Sequence, residues 1–228
     1  MEYPGLPGRL EQVRQVITGS QAKGGWTHPV RVVAVTKGHG PEAVRAAVQA
    51  GLTDVGENRV QEAVVKQDAL GSVDVAWHLI GSLQRNKVRQ AVSRFAVIHS
   101  VDRPELVTEL GKRQPTERSQ PVLIEVNCSG EPQKGGVEPE NLEALADQIR
   151  GMAGLELRGL MTMAALSEDE AVVRGAFSRL RTLREGLERS GHHLPELSMG
   201  MSGDYALAVE EGATMVRLGT LLFGERRV

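Results

Sequence analysis

The sequence holds one cysteine, Cys128, so no internal disulfide can form. Aromatic residues make up only 3% of the chain: two Trp, two Tyr and three Phe. That is too few for the stacking platforms on which single-stranded nucleic acids are bound. No charge of one sign dominates, since 27 Lys and Arg stand against 29 Asp and Glu, and nothing therefore advertises a polyanionic or membrane partner. No apolar run approaches the roughly 20 residues that span a bilayer. The opening, MEYPGLPGRL, lacks the basic and apolar regions of a secretory signal. These absences predict a soluble, cytoplasmic protein with neither nucleic acid nor membrane as partner. The 228 residues accommodate one barrel-sized domain or two small ones.

What is present is a repeating pattern of short apolar runs and helical segments. Its clearest unit is Arg31 to Gly40, RVVAVTKGHG, in which Val32, Val33, Ala34 and Val35 lead into Thr36 and Lys37. A β-branched run this short, closed by glycines and Pro41, reads as a strand buried on both faces that ends in a turn. Before it, Leu10, Val13, Val16 and Ile17 share one face of a helix over 6–18. After it, strands are predicted over 53–56, 75–80, 95–99, 121–126, within 155–163, over 197–199 and over 214–218, separated by helices of about 10 residues. Eight strand–helix units without a linker indicate a single (β/α)8 TIM barrel over 1–228 with an extra N-terminal helix. An open doubly wound sheet is the alternative, although no glycine-rich dinucleotide fingerprint follows the first strand.

In such a barrel the strand ends converge on one mouth, which gathers Lys37, Glu57, Asn58, His78, His99, Asn127, Ser202 and Arg217. Lys37 loses hydration at the lip of an apolar strand, which favours the neutral amine, the form that attacks a carbonyl. The bland reading is a lysine paired with a carboxylate. In SMGMSGD, Gly200 and Gly203 let backbone approach a ligand, and Ser202 is a candidate N-cap for the helix that follows. Gly219 and Thr220 form a second candidate nest after the last strand, and Asp204 is expected to point away from an anion. Both nests follow the seventh and eighth strands, where barrels often hold phosphate. Arg217, between Val216 and Leu218, must meet an acidic side chain or a ligand atom, because a buried guanidinium without a partner is costly. His192 and His193 are read as solvated surface, Lys134 as a loop lysine, and Cys128 as structural or ligand-contacting.

The segments AVTK around Lys37, GENRVQE from Gly56, WHLIGSLQRNK from Trp77, IHSVD from Ile98, RGLMTMA from Arg158, LSMGMSGDYALAVEEGATMVRLGT from Leu197, and FGER together resemble the pyridoxal phosphate homeostasis proteins, the YggS/PROSC group. The resemblance implies the barrel of the alanine racemase N-terminal domain. It implies pyridoxal 5'-phosphate held as an aldimine on Lys37, its phosphate on Ser202, Gly219 and Thr220, and Arg217 facing the ring nitrogen. Asn58 and His78 match positions lining the pocket. It further implies a carrier or regulator of the cofactor and of amino acid balance, without established catalysis, with apo enzymes as possible acceptors. A racemase of this type draws a second acid/base, usually a tyrosine, from an additional domain across a dimer; this chain is expected to be a monomer. A racemase-like enzyme and a cofactor-free Schiff-base aldolase stay open as alternatives, and no metal site is expected.

Overall fold

The computed structural model describes residues 3–92, 94–114, 118–131 and 134–225. Eight parallel strands close into a barrel in sequence order: β1 (Arg31–Val35), β2 (Asp54–Glu57), β3 (Ala76–Leu79), β4 (Val97–Val101), β5 (Gln120–Glu125), β6 (Leu155–Met161), β7 (Glu196–Ser198) and β8 (Met215–Leu218). Closure is made by β8 against β1, with Met215 opposite Arg31 and Leu218 opposite Ala34. The barrel expectation is met, and the open sheet is excluded.

The helices are α1 (Leu6–Gly24), α2 (Pro41–Gln49), α3 (Val60–Leu70), α4 (Val88–Ala91), α5 (Pro104–Arg113), α6 (Leu142–Arg150), α7 (Glu170–Arg189), α8 (Tyr205–Glu210) and α9 (Thr220–Phe223). Their starts follow local chemistry. Pro41 and Pro104 occupy the first helical position, where a missing N–H costs nothing, and Asp169 caps α7 by accepting from the N–H of Ala171 at 2.8 Å. Between β3 and β4 the helical segment is short and divided, a 3₁₀ turn over Arg85–Lys87 followed by the single turn of α4.

The helix α1 is an addition to the eight units and packs on α8 and α9. Leu6, Leu10, Val13 and Ile17 are buried there, each worth about 1.5–3 kcal/mol over leaving it in water. Val16, assigned to that face from the sequence, is instead exposed, and Ser20 takes a place in the contact.

Side chains alternate between two compartments because successive strand residues point to opposite faces. Ala34, Val55, Ile98, Ile124, Leu160 and Val216 face the helices. Val33, Leu123, Met161 and Met215 fill the barrel interior. The remaining interior positions are polar, and these build the site.

Candidate functional site

Carrying the alternation of β1 beyond its end puts Arg31, Val33, Val35 and Lys37 on one side, so the lysine emerges at the C-terminal mouth above the interior. Six residues expected at the site, Lys37, Asn58, Ser202, Arg217, Gly219 and Thr220, line one cavity there, of about 290 Å³. Val35, Ile80 and Met163 add an apolar wall. His78 does not line it. It lies fully buried in β3, one layer deeper in the barrel.

Arg217 forms part of the cavity wall and is only 4% exposed. Its Nη1 donates to the Ser198 carbonyl at 2.7 Å and to Ser198 Oγ at 2.8 Å, and Nη2 donates to the Thr162 carbonyl at 2.9 Å. The acidic partner weighed from the sequence is absent among the described residues; neutral oxygens hold the charge instead. Burial lowers its pKa to about 10, while the more distant Glu125 and Asp204 act the other way, so it is a cation at neutral pH. Its Nε–H donates to no acceptor among the described residues.

The glycine-rich turns supply further donors. Among the described residues, the backbone N–H groups of Gly203, Gly219 and Thr220 make no hydrogen bond. Asp204, rather than Ser202, is the N-cap of α8. Its Oδ1 accepts from the N–H of Met201 at 2.5 Å, which commits that oxygen to the local turn. Ser202 Oγ meanwhile accepts from the N–H of Leu221 at 3.3 Å, tying the turn after β7 to α9. Gly200 has φ of 92°, and a Cβ there would lie 2.6 Å from the Cβ of Ala208, so only glycine fits. Asn58 also lines the cavity, and its Oδ1 is buried and has no hydrogen-bond partner among the described residues.

Below Arg217 runs a file of polar side chains. Ser198 Oγ is 3.0 Å from His99 Nδ1, His99 Nε2 is 2.8 Å from His78 Nδ1, and His78 Nε2 is 3.0 Å from Asp54 Oδ1. Asp54 stands at the start of β2, at the opposite end of the barrel, 3.5 Å from Arg31 Nη1. Arg31 Nη2 also binds Glu196 at 2.5 Å. Burial first, and then the positive charges of Arg217 and Arg31, hold His99 well below the usual imidazole range, so it is neutral. For Asp54, burial raises the pKa, but the bonds from His78 and Thr53 and the charge of Arg31 outweigh it and the net shift is downward.

Several participants were not read from the sequence. Lys66 of α3 is buried, donating to Glu57 Oε1 at 2.5 Å and to the Thr36 carbonyl at 2.7 Å; Thr36 Oγ1 binds the same carboxylate. This cluster sits between barrel and helices and anchors the residue before Lys37. The available signal was the spacing of Val60, Ala63 and Lys66 along one face of α3. His39, which also lines the cavity, meets the Tyr3 hydroxyl through Nδ1 at 3.1 Å.

His192 corrects another expectation: it is buried with Nε2 3.2 Å from Asp147, whereas His193 is exposed. Lys134 ties its loop down through the Ala164 carbonyl at 2.7 Å and Glu131 at 2.6 Å; Pro132 and Gln133 of that loop lie outside the described residues, as does Arg226 of FGER. Cys128 is buried, and burial pushes its thiol up to about 11. No cluster of metal-ligating side chains and no helix long and apolar enough to cross a membrane occurs among the described residues.

The profile of the alanine racemase N-terminal domain family matches residues 20–227. The pyridoxal phosphate homeostasis protein of Aquifex aeolicus is 47% identical over 199 residues, covering 86% of this chain and 87% of that protein. Its counterpart in Pseudomonas aeruginosa is 43% identical over 208 residues, covering 91% and 89%. Among solved structures, PipY of Synechococcus elongatus without PLP superposes with a TM-score of 0.85 at 39% identity, covering 96% of this chain and all of that one. The PLP-bound form of PipY gives a TM-score of 0.83 at 37% identity over the same coverage. With sequence and fold in agreement over nearly its full length, this chain belongs to the pyridoxal phosphate homeostasis protein family, built on the alanine racemase N-terminal-domain barrel.

Proposed function

We propose that this chain binds pyridoxal 5'-phosphate in the mouth cavity, joined reversibly to Lys37, and serves to hold and hand on the cofactor rather than to turn over a substrate. The observation that carries the reading is the convergence, in one cavity, of a half-buried primary amine, a fixed guanidinium and backbone N–H groups without protein acceptors. When bound, the cofactor would supply an aldehyde, the group with which a primary amine such as that of Lys37 can condense with release of water.

The residues fit that group. Lys37 is the only amine lining the cavity among the described residues. The N–H groups of Gly203, Gly219 and Thr220, with the hydroxyls of Ser202 and Thr220, offer several donors to a phosphate. The Arg217 Nε–H is the donor for a pyridine nitrogen, and its permanent charge discourages protonation there, which weakens the ring as an electron sink. That weakening, together with the homeostasis role in the relatives' names, supports a carrier over an enzyme. Asn58 Oδ1, buried and without a partner among the described residues, is an acceptor suited to a ring substituent. His78 acts on the ligand only through intervening groups.

The same reading takes the whole chain as one cofactor-binding domain acting as a cytoplasmic monomer, with apo enzymes as acceptors and cofactor supply linked to amino acid balance. The test is the visible absorption spectrum with and without pyridoxal 5'-phosphate, beside Lys37→Ala. A band in the wild type that the variant lacks, and that borohydride traps on Lys37, supports the reading. No band at excess cofactor refutes it, and amino-acid-dependent turnover by the loaded protein refutes the carrier role.

A further inference from the structure

We propose that Asp54, His78 and His99 are positioning residues: with Ser198 they form a one-directional chain of hydrogen bonds through the barrel that fixes the Arg217 guanidinium at the cavity wall. The direction follows from the ends. A guanidinium only donates and an ionised carboxylate only accepts, whereas a hydroxyl and a neutral imidazole each do both. Arg217 Nη1 gives its proton to Ser198 Oγ at 2.8 Å, so the Ser198 hydroxyl turns its own proton to His99 Nδ1 at 3.0 Å. His99 must then carry its proton on Nε2 and donate to His78 Nδ1 at 2.8 Å; His78 likewise donates from Nε2 to Asp54 at 3.0 Å. Reversing the chain would require one additional proton, either on Asp54 or on His78 as an imidazolium paired with Asp54, and would leave Ser198 Oγ facing two donors. Both imidazoles are therefore neutral Nε2–H tautomers.

The arrangement has a physical purpose. Ser198, His99 and His78 have no solvent exposure, so their rotamers and tautomers are set by the neighbours they bond and not by water. Arg217 meets no carboxylate directly among the described residues, and the polarised file lets the anion at the far end of the barrel stabilise its charge without occupying the guanidinium edge that faces the cavity. Asp54 is itself held by Arg31, which Glu196 holds in turn, so the file is anchored to a charge cluster at the N-terminal rim. Nothing in the chain of bonds contacts the cavity except Arg217, which separates a positioning role from direct ligand contact.

The consequence for ligand binding rests on the proposed function, but the tautomer assignment does not. The first experiment is therefore long-range ¹H–¹⁵N correlation on the full-length, ¹⁵N-labelled protein, with His78→Gln and His99→Gln used only to assign signals. Two neutral Nε2–H rings are expected; an Nδ1–H tautomer or an imidazolium at either position overturns the proposal. The second experiment titrates pyridoxal 5'-phosphate into His99→Leu, His78→Leu and the double variant. Each single variant should weaken binding by about tenfold and shift the visible band, and the double should do no worse than either single, since one chain is broken once. His99→Gln, whose amide both donates and accepts, should recover most of the affinity. Additive losses, or a band unmoved in both leucine variants, overturn the positioning role. If the wild type fails to bind pyridoxal 5'-phosphate while both tautomers are as expected, the functional reading fails and the hydrogen-bond chain stands.

Discussion

Lys66→Met tests how the barrel wall beneath the site is held together. The substitution keeps the length of the side chain but leaves the Glu57 carboxylate, fully buried in β2, without its cation, and with Oε2 already lacking a partner among the described residues. Removing one member of a buried ion pair costs about 3–5 kcal/mol. A second route bounds the same figure. Burial already raises the Glu57 pKa, with Lys66 pulling it back, so without Lys66 the carboxyl takes up a proton in the folded state. Neutralising at pH 7 a group that titrates near 4.3 when unfolded costs about 3.7 kcal/mol, at about 1.4 kcal/mol per pH unit.

The sign follows from proton counting. The folded variant binds a proton that the unfolded chain releases above about pH 4.3, so its stability falls as pH rises. The deficit relative to wild type should be about 4 kcal/mol at pH 7 and under about 2 kcal/mol at pH 5.5, with the wild type sharing part of the slope. Urea unfolding at several pH values measures this, and the melting temperature at pH 7 should drop by on the order of 10 °C. Lys66→Met combined with Glu57→Leu should recover most of the loss, because an apolar pair replaces an ionic one. A deficit below about 1 kcal/mol at pH 7, or one independent of pH, would refute the buried ion pair.

Gly200→Ala should cost at least about 2 kcal/mol by urea unfolding, since the new Cβ meets Ala208 and Tyr205 at a backbone angle that disfavours side chains. Glu125 is pushed up to about 7 by burial, with Asp102 adding to the shift and Arg217 opposing it. Its raised folded pKa means stability present below pH 4.5 is lost as pH rises towards 7; Glu125→Gln should therefore gain up to about 3 kcal/mol at pH 8 and nothing near pH 4, read from the pH dependence of unfolding. Cys128, buried and held as the thiol, should be alkylated by iodoacetamide orders of magnitude more slowly in the folded protein than in urea; equal rates would contradict its burial.

Much of the fold was legible because its signals are local. A β-branched run ended by glycine and proline marks a strand, and Lys37 follows β1 at the same parity as Val33 and Val35, which places it at the mouth once a barrel is assumed. Six of the seven expected pocket residues lie around one cavity for the same reason: each sits at or just beyond the C-terminal end of a strand. Short elements were less legible. The N-cap position of α8 falls on Asp204 rather than Ser202, without a side-chain capping bond, while the Ser202 hydroxyl is taken up by the N–H of Leu221 in α9, a contact no local signal reports.

The sequence by itself determined the alternation of strands and helices, the side each strand residue faces, and the chemical types gathered at the mouth. Tertiary structure alone decided the partners. Arg217 finds its acceptors on β7 and just beyond β6, Lys66 reaches the end of β2 and the Thr36 carbonyl, and His78 leaves the cavity wall to join a file from Ser198 to Asp54. Periodicity reports the face a residue takes within its own element. Which residues meet across a closed barrel depends on strand register and stagger, set by packing over the whole sheet, and that information is not local to any stretch of chain.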